Sequence, residues 1–153
     1  CWTNDEDGIV RCLGTGSRRW ITMLASDQSG PGGIAVDSTN AYWTNYTGIT
    51  AYPIGGSAPQ PGPNQGTLWR APIDGGTATV LATGYEFGGV AIDATHAYWS
   101  DVSLGTVNAV PLAGGTPTVL ATYVSVVAGP VVDDDSVYWI TIEGVINRVA
   151  KPR

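Results

Sequence analysis

An all-β fold built from repeated four-stranded antiparallel sheets is what this sequence predicts, on three observations. One phrase is written three times, as GGIAVDSTNAYWTN at 32–45, GGVAIDATHAYWSD at 88–101 and AGPVVDDDSVYWIT at 128–141, with a shortened copy, CWTN, at 1–4. Trp2, Trp43, Trp99 and Trp139 mark that phrase at spacings of 41, 56 and 40, so the unit is about 40 residues with about 15 inserted in the second. No segment carries the 3.6-residue apolar period of a helix, whereas short β-branched or alternating runs alternate with Gly-rich turns.

The unit at 88–127 shows the elements in order. Gly89–Asp93 is an apolar run, Ala97–Ser100 is aromatic, and Thr106–Leu112 and Thr116–Ala121 each alternate. Ala94–His96, Asp101–Gly105 and Gly114-Gly115 supply the turns between them. Four strands in about 40 residues is the arithmetic of a β-propeller blade. In strand order the chain enters on a second strand, Cys1–Asn4, and leaves on a third, Val145–Val149. The expected units are 1–31, 32–87, 88–127 and 128–153, with an inserted loop at 47–65. That makes fourteen strands, or about three and a half blades, where closed rings take 4–8. The expectation is a single partial domain, either a fragment of a larger propeller or one part of a ring that another polypeptide completes, as a second copy or a complementary fragment. For the insertion, an alternative reading makes Gly48–Gly56 an extra strand paired with Gly66–Ile73.

Composition narrows the partners. Charged residues make up only 13% of the chain and the net charge is −6, so Thr, Ser, Asn and Gly keep the surface wet. An acidic balance with a single lysine, Lys151, argues against nucleic acid, which draws clustered Lys and Arg. No run approaches the 18 apolar residues of a membrane span. Cys1 and Cys12 fall on what should be neighbouring antiparallel strands. They are either a cross-strand disulfide, which would imply an oxidising compartment, or two unpaired thiols.

At Pro31–Asp37, Tyr42–Asn45, Leu68–Gly76 and Val80–Ala82 the chain resembles the YWTD repeats of the low-density-lipoprotein-receptor propellers and their bacterial relatives. The resemblance recurs in every unit and covers nearly the whole chain. It implies a six-bladed ring, a secreted or surface-displayed setting, and binding rather than catalysis. The fourth position of the tetrad departs from Asp at Asn4, at Asn45 and at Thr141 or Ile142, and keeps it only at Asp101.

Residues that carry chemistry divide by whether they repeat. Asp37, Asp93 and Asp133 recur at a strand end, which fits a carboxylate accepting N–H bonds from the next turn better than a metal ligand. The run Asp133-Asp134-Asp135 reads as a solvated hairpin tip, with Ca²⁺ as the weaker alternative. Trp43, Trp99 and Trp139 hold one fixed blade position and read as packing between sheets, while Trp20 and Trp69 lie off it. His96 stands alone in a turn with no nucleophile at a catalytic spacing. Arg11, Arg70 and Arg148 recur on third strands, where they would pair with acidic neighbours or stretch along the blade edge.

Strands alternate in direction, so turns from second to third strands share one end of the blades with connections from fourth to first strands. That end gathers Tyr46, Tyr52, Tyr85, Glu86, Phe87, Asp101 and Tyr123, and is the candidate ligand face. The competing reading makes Tyr85, Phe87 and Tyr123 plugs between blades. Function is expected to be that of a non-enzymatic extracellular binding module for a protein or glycan, with no cofactor, no metal and no catalytic residues. The alternative is part of a metal-dependent lactonase- or lyase-type propeller. Such an enzyme needs acidic, Asn or His side chains converging on the ring axis, and none recurs at an axial position here.

Overall fold

Four antiparallel sheets of three, four, four and three strands make up the chain in its computed structural model, which describes residues 1–14, 20–46, 66–122, 125–126 and 129–152. The first sheet holds β1 (Trp2–Asn4), β2 (Ile9–Leu13) and β3 (Ile21–Ala25). The second holds β4 (Pro31–Val36), β5 (Asn40–Asn45), β6 (Gly66–Pro72) and β7 (Thr79–Gly84). The third repeats it with β8 (Phe87–Ile92), β9 (His96–Asp101), β10 (Thr106–Pro111) and β11 (Thr118–Thr122). The fourth holds β12 (Val131–Val132), β13 (Ser136–Ile140) and β14 (Ile146–Ala150). Each strand pairs with its neighbour in sequence, and the described residues include no helix. The fold is therefore a partial β-propeller of about three and a half blades, as the repeat predicts.

The extra strand considered at 48–56 lies outside the described residues. The pairing attributed to it, however, is already taken. β6 is bonded to β5 from Thr67↔Asn45 to Pro72↔Asn40 along one edge, and to β7 from Gly66↔Gly84 to Arg70↔Thr79 along the other.

Neighbouring sheets are joined by the second strands. Successive side chains on a strand point to opposite faces, so an adjacent Tyr-Trp pair serves both neighbours at once. Trp43 enters the core between the first and second blades with Val10, Leu24 and Ala71, while Tyr42 enters the next core with Leu68, Leu81 and Phe87. Trp99 shares that second core, and Tyr98 turns to the third with Val107, Val137 and Trp139. Burying each such ring contributes about 1.5–3 kcal/mol. Trp69, off the repeat, stacks on Trp43 at 6.2 Å between centroids, whereas Trp20 is half exposed.

Each repeated Asp fastens its own hairpin. Asp37 Oδ1 accepts from the N–H groups of Thr39 and Asn40 at 2.7 Å each, and Oδ2 accepts from the Tyr42 hydroxyl at 2.8 Å. Asp93 does the same with Thr95, His96 and Tyr98, and Asp133 with Asp135, Ser136 and Tyr138. These bonds commit the three carboxylates to the backbone. Arg70 crosses to the third blade and donates to the Leu112 carbonyl at 2.6 Å, so its partner is a carbonyl rather than an acid. Lys151 crosses from the other side, 2.9 Å from Asp93 and 5.6 Å above the Tyr98 ring.

Burial pushes the Asp37 carboxyl up, but the Thr39 and Asn40 N–H groups and the Tyr42 hydroxyl outweigh it and leave the pKa below the ordinary 3.8. Burial also raises Asp93, yet Lys151, Tyr98 and the turn N–H groups pull it far down. Burial first, then Asp37, pushes the Tyr42 phenol up to about 12. Carboxyls depressed on folding give a stabilisation that is present above their unfolded value and lost as pH falls through 3.8 toward the folded value. A raised phenol gives the mirror case, present below 10 and lost between 10 and about 12. Denaturant midpoints should therefore fall at both extremes. Asp93→Asn should flatten the acid limb, and an unchanged acid slope in that variant would contradict the assignment.

Candidate functional site

The end of the blades that carries the second-to-third turns is built by one repeated device. In each sheet the residue three positions after the repeat Trp is Asp5, Tyr46, Val102 or Ile142. Three of these backbones are fixed by an N–H bond to the incoming connection, Tyr46 to the Gly30 carbonyl at 2.6 Å, Val102 to Glu86 at 2.8 Å and Ile142 to Ser125 at 2.9 Å. Fixing the backbone leaves the side chains outside. Tyr46 is 39% exposed, Val102 42% and Ile142 73%, and Asp5 is exposed as well. One side chain per blade thus faces solvent at an equivalent place on a rigid support.

Between the first three blades this end opens into a cleft of about 390 Å³, lined by Asp5, Tyr46, Phe87 and the glycines at 30, 32, 33, 88 and 89. The glycines are there because the inner strands touch backbone to backbone. A Cβ on Gly33 would stand 2.7 Å from the Gly89 Cα, and one on Gly129 would stand 2.5 Å from it. Gly30, at φ +58, adopts a left-handed conformation, and a Cβ there would run into the Tyr46 carbonyl.

The face anticipated from sequence is only partly assembled for binding. Tyr46 lines the cleft, and Glu86, half-buried, accepts from the Ser103 hydroxyl at 2.6 Å. Tyr85 is half-buried, its N–H donating to Asp101 Oδ2 at 3.0 Å. Asp101 is buried rather than presented. Its carboxylate accepts from the Tyr85, Glu86 and Leu104 N–H groups, which ties two loops together. Phe87 is a plug, 2% exposed and 5.3 Å from Trp99, seated where Gly66 and Gly84 leave room that a Cβ would fill. Tyr52 and Tyr123 lie outside the described residues. Asp5, Val102 and Ile142 are missing from the face anticipated from sequence, whose members were aromatic residues with Glu86 and Asp101 rather than one repeat position. Counting three from each Trp finds all four positions.

The opposite end is committed to structure. It carries the Asp37, Asp93 and Asp133 clamps and a second cleft of about 360 Å³ beside the bonded pair Cys1–Cys12. Among the described residues no group of three or more His, Cys, Asp or Glu side chains is placed to hold a metal ion.

Comparison with known proteins gives the fold and nothing finer. No family profile and no curated protein sequence matches the chain. It superposes on a chain in the crystal structure of a nidogen/laminin complex with a TM-score of 0.70 at 18% identity. The match covers 97% of this chain and 54% of the other, so this chain spans about half the length of the chain it resembles.

Proposed function

We propose that this chain is a non-enzymatic extracellular binding module, related to the YWTD propellers, which holds a protein ligand on the end bearing Asp5, Tyr46, Val102 and Ile142. The observation that carries the reading is that set of four equivalent positions, each exposed at the same place on its blade, with Asp5 and Tyr46 lining the cleft. Rigid presentation of aromatic and apolar side chains limits the entropy lost on binding. The Cys1–Cys12 bond fits an oxidising setting. The similar chain comes from a complex between two proteins, which supports a protein over a glycan as ligand.

Further propeller strands also cover the outward faces of the end sheets. Trp2, Ile21 and Met23 on the first sheet are exposed apolar groups, as are Val131, Ile140 and Ile146 on the fourth. They stand where the inner blades bury their Tyr-Trp joints.

The test is a panel of extracellular proteins and glycans screened against the intact chain, with Tyr46→Ala and Ile142→Ser beside Ser38→Ala on the far end. Light scattering reports the assembly state. Ligands lost with the first two variants and kept by the third are the expected result. Loss with Ser38→Ala alone would move the site to the other end.

A further inference from the structure

Charge is distributed unevenly between the two ends of the blades. The described residues of the cleft end, at 5–8, 26–30, 46, 85–86, 101–105, 125–126, 129–130 and 141–145, contain Asp5, Glu6, Asp7, Asp27, Glu86, Asp101 and Glu143. They contain none of the chain's 7 Lys and Arg residues. The exposed row therefore runs from an acid at Asp5 through an aromatic ring at Tyr46 to aliphatic groups at Val102 and Ile142, with Leu104, 54% exposed, beside them.

The layer behind the cleft glycines adds a second observation. Thr44 and Ser100 hold one repeat position, are fully buried, and their hydroxyl oxygens have no hydrogen-bond partner among the described residues. Each faces the space that a side chain would occupy on a glycine lining the cleft. A Cβ on Gly32 would stand 3.6 Å from Thr44 Oγ1, and one on Gly88 only 2.4 Å from Ser100 Oγ. Thr3, at the same repeat position, shows the bond such a hydroxyl makes, donating to the Gly32 carbonyl at 2.8 Å. Buried hydroxyls left without partners are unfavourable, so the layer behind the glycines stays polar at a cost.

We infer that the cleft end receives a basic, apolar segment of a partner protein, with an arginine side chain seated in the cleft and aliphatic residues lying over Val102 and Ile142. The guanidinium is flat, always charged and rich in donors. It stacks on an aromatic face and pairs with a carboxylate in the same pose. Tyr46 supplies the face and Asp5 the carboxylate, and both line the cleft. A lysine lacks the planar fork, and an acidic segment meets like charge along the whole face.

This inference rests on the reading of the face as a protein-binding surface, and its test is independent of the panel that probes that reading. The probe is a peptide of alternating arginine and leucine, titrated into the intact chain by calorimetry beside the same peptide with citrulline in place of arginine. Citrulline keeps the shape and removes the charge. The arginine peptide should bind at least about tenfold more tightly, and Asp5→Asn should weaken it about tenfold. Asp134→Asn at the opposite end should change neither, and added salt should weaken the arginine peptide alone. Thermal unfolding of each variant checks that Asp5, an exposed loop residue, is not read through stability. Equal binding of the two peptides, equal losses from Asp5→Asn and Asp134→Asn, or no binding of either peptide would overturn the inference. A panel ligand that still maps to Tyr46 and Ile142 in that event leaves the broader reading standing.

Discussion

Replacing Trp99 with Ala is expected to destabilise the chain by about 3–5 kcal/mol, the cost of emptying a large aromatic site that cannot collapse. Trp99 is 2% exposed, tilted against Phe87, and packed between the second and third blades with Tyr42 and Leu68. A finer comparison separates packing from hydrogen bonding. The Trp99 indole N–H is buried without a partner, whereas the Trp43 N–H donates to Gln28 Oε1 at 3.1 Å. The repeat explains the difference, because the position that holds Gln28 before the second blade holds Gly84 before the third. Trp99→Phe removes an unpaired donor along with some volume, while Trp43→Phe loses volume and one of the two hydrogen bonds that Gln28 Oε1 accepts, leaving the one from Asn45 Nδ2 at 2.8 Å. Chemical denaturation of the two Phe variants should therefore show the larger loss at Trp43. Equal losses would mean that the hydrogen bond to Gln28 contributes nothing.

Two adjacent glycines should respond in opposite ways to the same methyl group. Gly33→Ala drives a Cβ to 2.7 Å from the Gly89 Cα and 3.0 Å from the Val90 nitrogen, and neither backbone atom can rotate away. The inner strands must separate, at about 3 kcal/mol, the upper end of overpacking. Gly32→Ala meets only the Thr44 hydroxyl at 3.6 Å and its carbonyl at 3.8 Å, which is ordinary contact. That variant should stay within about 0.5 kcal/mol of the parent. Thermal unfolding of the pair, side by side, decides the matter. A tolerated Gly33→Ala would show that the inner strands do not touch as described.

This pair also shows what a sequence can and cannot say about a repeat protein. Blade order, strand count and turn positions were legible because periodicity survives substitution. The phrase ending in Tyr-Trp stands on β5, β9 and β13 as its spacing requires. The clamp role of Asp37, Asp93 and Asp133 was legible for the same reason, since a carboxylate repeated at a strand end has a local partner. The Gly-Gly pair at 114–115 reads as a turn signal, whereas the two glycines at 32–33 and at 88–89 lie within inner strands at a bulge in the ladder. Their role depends on a neighbouring blade some 56 residues away in sequence, and no local pattern encodes that distance. Phe87 and Asp101 were drawn toward the surface by their chemistry. Room made by Gly66 and Gly84, and N–H groups from Tyr85, Glu86 and Leu104, turned them inward.

The adjacent Tyr and Trp of each second strand have a consequence for how such a chain can change length. Every inner blade carries both halves of the joint, a Tyr for the following neighbour and a Trp for the preceding one. A copied blade inserted beside its template therefore meets on each side the same surface its template already met. Growth by duplication needs no new interface to be invented, only a connection of suitable length. Divergence can then act on the residue three places past the Trp, where Asp5, Tyr46, Val102 and Ile142 already differ while the joints beneath them keep one chemistry.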